Sequence, residues 1–105
     1  MGTNEEFTQF IADELTKVGN LFAEKQKQYS TQHDPLANFY RGALLKYGDA
    51  DYELMYDVAK DYLNKHVAFL YSHGVEEKTE ESLRDMVVYG LIMLYMVKQA
   101  KGDSK

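Results

Sequence analysis

Cysteine is absent from the 105 residues, and that absence excludes a disulfide scaffold, a thiolate zinc site and a cysteine nucleophile. Proline occurs once and glycine seven times, against 45% hydrophobic and 28% charged residues. That balance excludes collagen-like and low-complexity chains and predicts one that folds. The opening MGTNEEFTQF has no basic stretch leading into an apolar run, so no signal peptide is expected and an intracellular setting fits better. No apolar run approaches the ~20 residues needed to cross a bilayer; the run MVVYGLIMLYMV over 86–97 has twelve. The P-loop, GxGxxG, HExxH, GxSxG and EF-hand patterns are all missing, which removes sequence support for ordinary nucleotide folds, zincins, serine hydrolases and calcium loops. Positive charge is also short: 12 Lys and Arg face 17 Asp and Glu, for a net −5, which makes nucleic acid or an acidic membrane an unlikely main partner.

What charge there is falls in blocks. Residues 1–16, 17–48, 49–85 and 86–105 carry −4, +3, −6 and +2. The basic island contains Lys17, Lys25, Lys27, Arg41 and Lys46 interleaved with Tyr29, Tyr40 and Tyr47, a mixture able to hold a phosphate and stack a base. Lysines near helix C-termini also complement the helix dipole, and both readings are open at this point.

The apolar residues recur at helical spacing throughout. Thr3 and Glu6 have the spacing of a capping box, followed by Phe7, Phe10, Ile11, Leu15, Val18, Leu21 and Phe22 at intervals of three and four, which predicts a long amphipathic helix over 4–29. Asp34-Pro35 reads as an N-cap with proline in the first helical position, opening a helix over 35–47 that buries Leu36, Phe39, Tyr40, Ala43 and Leu44 and ends at Gly48. A third helix over 51–73 carries Tyr52, Met55, Ala59, Tyr62, Leu63, His66, Phe69 and Leu70 along one stripe. Thr79 is placed to cap a fourth helix over 79–100. No alternating apolar and polar run and no internal repeat competes with these. The expected fold is therefore all-α, a single four-helix bundle-like domain spanning 1–105; a second domain does not fit this length. The stretch 86–97 is apolar on every side and must be covered on every side. Three other helices of so small a chain cover about two-thirds of it, so a homodimer or higher oligomer is expected through this helix, with Gly90 allowing close approach; the plainer reading has the long first helix wrap it completely in a monomer.

Carboxylates supply the candidate chemistry. Asp57 and Asp61 are four apart on the third helix, Glu81 and Asp85 four apart on the fourth, so each pair shares a helix face. Two such pairs facing each other suit magnesium, which takes oxygen ligands and bridges to substrate phosphates. If the third and fourth helices turn near Glu76, however, the pairs are offset by ~9 to 15 Å, and closing the cage takes a neighbouring subunit or a single pair. The plainer reading has these acids solvated or bridged to Lys60, Lys65 and Arg84. The same ruler sets Lys65 and His66 level with Asp85, making Asp85 the expected partner of His66, either as an acid-base pair or as a satisfied core histidine.

Tyr29-Ser30, Asp34-Pro35-Leu36-Ala37-Asn38-Phe39, Lys65-His66 and Glu81-Ser82-Leu83-Arg84-Asp85-Met86, in that order ahead of a greasy helix, resemble short helical proteins of bacteriophages and prophages. They resemble the phage nucleotide-modification-associated domains, suspected relatives of the MazG-type all-α NTP pyrophosphohydrolases, over roughly residues 20 to 100. The resemblance implies an oligomeric, helical nucleotide-binding protein in the cytoplasm of a bacterial host, with Glu81 and Asp85 on the acidic helix that holds magnesium in those enzymes. Those enzymes carry two acids three apart on each of two helices, whereas the spacings here are four and position 82 is Ser82.

Three functions follow. The first is binding, and sequestering, of a nucleotide or nucleotide-derived signal by Lys25, Tyr29, Arg41, Lys46, Tyr47, Lys65 and His66. The second is magnesium-dependent pyrophosphohydrolysis through Asp57, Asp61, Glu81 and Asp85. The third is an acidic module that blocks a basic protein partner.

Overall fold

The computed structural model describes residues 3–28 and 36–102. Every regular element among them is a helix: α1 (Asn4–Gln28), α2 (Ala37–Tyr47), α3 (Tyr52–Ser72) and α4 (Glu77–Ala100). The fold is all-α, and no described helix is long and apolar enough to cross a membrane. The chain divides into two compact units, residues 1–34 with α1 and residues 35–105 with α2, α3 and α4.

In the first unit Glu6 N–H donates to Thr3 Oγ1 at 3.0 Å, one half of the expected capping box. The polar face of α1 is laced by a Gln9 to Asp13 hydrogen bond of 2.8 Å and a Lys17–Glu14 ion pair of 3.4 Å, the near-neighbour pairs that support a helix locally. Along its apolar stripe Val18 is buried, while Phe7, Phe10, Ile11, Leu15 and Leu21 are 42 to 65% exposed.

The second unit has a core of its own. Phe39 and Ala43 from α2, Met55, Val58 and Ala59 from α3, and Met93 and Met96 from α4 are buried together. Helix α2 lies so close on α3 that a Cβ on Gly42 would come within 3.0 Å of Val58 Cγ1. This approach places Val58 in the core and turns Tyr40 and Leu44, expected to be buried, outward. Gly48 ends α2 with φ at 76° and its N–H on the Leu44 carbonyl, the left-handed stop that glycine adopts without Cβ strain. Asp51 caps α3 by accepting from Leu54 N–H at 2.9 Å. The proposed Asp34-Pro35 start of α2 lies outside the described residues.

Helix α4 starts two residues earlier than the sequence predicts. Its N-cap is Glu76, without a side-chain cap bond, while Thr79 donates its hydroxyl to the Gly74 carbonyl at 2.6 Å. Thr79 thus ties the turn to the helix from inside the first turn. The centre of the α3–α4 hairpin moves from near Glu76 to the Gly74–Val75 step, and every α3–α4 pairing shifts accordingly.

Candidate functional site

An aromatic layer joins the three helices of the second unit. Phe39 meets Tyr62 and Tyr89 edge-on at 5.0 and 6.1 Å, and Tyr89 lies 5.4 Å from the His66 ring. Edge-to-face contacts of this kind add to the burial that holds the rings in place. Burial, and then the nearby Asp85 charge, push the Tyr89 phenol above its ordinary value.

Beyond His66 the two helices open into a cleft of about 400 Å³, within the range that holds a small ligand. Lys65, His66 and Phe69 line it from α3, and Lys78, Glu81, Ser82 and Asp85 line it from α4. The α4 residues follow the spacing of one helix face, at positions i, i+3, i+4 and i+7. The His66 ring does not pair with Asp85, as the sequence predicts, but shares a 2.8 Å hydrogen bond between Nδ1 and Ser82 Oγ. The displaced hairpin centre explains the change: it slides α4 by about one turn and brings Ser82 where Asp85 was expected. Ser82 is only 6% exposed, so its hydroxyl needs this partner. Phe69 forms the apolar wall, braced by His73, which stacks on it at 3.7 Å and donates to its carbonyl at 3.0 Å. Lys65 lies with its Nζ over the Tyr62 ring at 5.5 Å. The cleft lining is bipolar: two lysines and a histidine share it with two carboxylates.

The other candidate residues gather elsewhere. Lys46 Nζ sits 3.5 Å from Asp57 and 3.3 Å from Asp61, and Lys60 sits 3.1 Å from Asp57. Tyr47 donates its hydroxyl to Asp57 as well. Two expected nucleotide contacts are therefore bound to two expected metal ligands, in a clamp between the end of α2 and the start of α3. The Asp61 hydrogen bond, above all, holds the Lys46 ammonium above its ordinary pKa. The Lys60 hydrogen bond, above all, holds the Asp57 carboxyl below its own. Lysines thus engage both oxygens of Asp57 and Oδ2 of Asp61, and among the described residues there is no group of three or more His, Asp or Glu placed to hold a metal. Arg41 stays on α2, where it donates to Asn38 Oδ1 at 3.0 Å. Tyr29 and the side chains of Lys25 and Lys27 lie outside the described residues.

Of the expected site residues, the structure brings together Lys65, His66, Glu81 and Asp85. Sequence reasoning missed Lys78, Phe69 and Ser82 as their neighbours. The signal for two of them was present in the 78, 81, 82, 85 face of α4. No family model, no curated protein and no solved structure matches the chain.

Proposed function

We propose that the α3–α4 cleft binds a small phosphorylated ligand of the nucleotide class and holds it without reaction. The carrying observation is the convergence of Lys65, His66 and Lys78 with Phe69 and two carboxylates in one cleft of about 400 Å³. Ammonium groups pair with phosphate oxygens in short, charge-assisted hydrogen bonds. Phe69 offers an apolar wall to a base, and Glu81 and Asp85 accept from sugar hydroxyls or base amino groups. Lys65, His66, Glu81, Ser82 and Asp85, from two of the four segments that carry the phage-protein resemblance, line this same cleft. Retention rather than turnover is favoured because the acids here are four apart and Ser82 stands where the pyrophosphohydrolases carry an acid. In a phage setting, such a protein acts by sequestering a nucleotide signal.

Equilibrium dialysis against a panel of nucleoside phosphates and cyclic nucleotides, with magnesium and with EDTA, tests this reading. Saturable binding is expected, weakened roughly tenfold or more in Lys65→Gln and in Lys78→Gln, since a hydrogen bond to a charged group contributes about 1.5 to 3 kcal/mol. Binding unchanged in the double variant refutes the cleft as the site. Release of monophosphate and pyrophosphate that stops with EDTA favours the pyrophosphohydrolase instead.

A second observation favours assembly of copies through α4. Leu83, Val87, Leu91 and Leu94 are 47, 42, 56 and 51% exposed. They form a continuous outer stripe on a helix that buries its other side in the core, and apolar stripes of this kind mark interaction surfaces.

A further inference from the structure

We infer that two copies of the chain pair α4 against α4 in antiparallel fashion, about a two-fold axis passing between Gly90 and Leu91. The inference rests on the reading that α4 mediates self-association, and adds to it the orientation, the register and the contacts.

Its first support is shape. Leu83, Val87, Leu91 and Leu94 recur at intervals of four, four and three on the face of α4 turned away from Met93 and Met96. Gly90 interrupts this stripe, and a Cβ placed on it would meet nothing within 4 Å. The stripe therefore has one notch, with its largest exposed leucine, Leu91 at 56%, beside the notch. An axis between residues 90 and 91 sets Leu91 of each copy over Gly90 of the other, large against small. The same axis sets Val87 opposite the partner's Leu94, apolar against apolar.

Charge is the second, independent support. Outside the apolar segment, the N-terminal part of α4 on this side carries Glu80, which also ion-pairs with Arg84 at 3.7 Å, and the C-terminal part carries Lys98, followed by Lys101 just past the helix. The axis that fills the Gly90 notch also places Glu80 opposite the partner's Lys101 and lays Leu83 against the aliphatic stem of the partner's Lys98. A parallel pair sets Glu80 on Glu80 and Lys98 on Lys98, like charges that oppose association. Moving the antiparallel axis one turn toward the N-terminus sets Glu80 against the partner's Leu94 and leaves the notch unfilled. Filling the notch, together with charge, favours this register over those two. The cleft residues Lys78, Glu81, Ser82 and Asp85 occupy a different face of α4, so both ligand sites stay open in the pair.

The chain has no cysteine, so an introduced pair reports this geometry without background. Leu83→Cys and Lys98→Cys chains are oxidised separately and as an equimolar mixture, and the mass of the parent is followed by sedimentation over a wide concentration range. The expected result is a species of about twice 12.1 kDa, cross-linking in the mixture and none in either variant alone. Leu91→Glu is expected to return the mass to 12.1 kDa with helix content unchanged. Cross-linking of Leu83→Cys with itself, or a doubled mass without cross-linking in the mixture, overturns the register but leaves self-association standing. A mass of 12.1 kDa at every concentration, as when the stripe is covered from within the chain, overturns both.

Discussion

Replacing Ser82 with alanine removes a hydroxyl that is 6% exposed and lies 2.8 Å from His66 Nδ1. A neutral hydrogen bond contributes about 1 ± 0.5 kcal/mol net. Alanine returns about 0.5 kcal/mol through its better helix propensity, and water in the open cleft satisfies part of what His66 loses. The net loss for Ser82→Ala alone is then about 0.5 kcal/mol, too small to identify the partner of His66. A double-mutant cycle isolates the pair term from both corrections. Urea unfolding followed by far-UV circular dichroism, run on Ser82→Ala, His66→Ala and the double variant, is expected to give a coupling of about 1 kcal/mol. The matching cycle with Asp85→Asn is expected to give under about 0.3 kcal/mol, the scatter for groups sharing no contact. A larger coupling to Asp85 than to Ser82 would refute the α3–α4 register from which the cleft is built.

Gly48→Ala is expected to cost about 1 to 2 kcal/mol, because φ is 76° there and nothing lies within 4 Å of an added Cβ, leaving left-handed strain as the whole effect. Urea unfolding measures it, and Gly48→Asn should lose less. The Lys46, Asp57 and Asp61 clamp is expected to set an acid limit. Asp57 is held below its ordinary 3.8, so its contribution is complete above that pH and is lost as pH falls through its lower folded value. Lys46 is held above 10.5, so its contribution is complete below that pH and is lost as pH rises through its higher folded value. Thermal midpoints of Lys46→Met should therefore differ from those of the parent by a constant amount from about pH 5 to 9, with the difference shrinking under acid; a difference that grows on acidification contradicts the clamp.

Much of the fold was legible in the chain because helix signals are local. The spacing of Met55, Ala59, Tyr62 and His66 and the stop at Gly48 depend on neighbours within one or two turns, and both are seen. Thr79 was misread because its hydroxyl had two local partners open to it, and the Gly74 carbonyl holds it. That one choice moved the start of α4, and with it the level of every residue facing α3. The candidate site shows the same division. Side chains able to bind phosphate or a cation were recognisable by type, but their grouping depends on register and helix approach. The α2–α3 packing pairs Lys46 with Asp57 and Asp61, joining a residue read as a phosphate contact to two read as metal ligands. The displaced α3–α4 hairpin gathers Lys65, His66, Lys78 and Ser82 into a cleft. The sequence by itself determined four helices and the glycine stop after α2, because those follow from interactions within a few residues. Only the tertiary structure decided which charges neutralise one another and which face a shared cavity, because a shift of one turn exchanges one partner for another at almost no local cost.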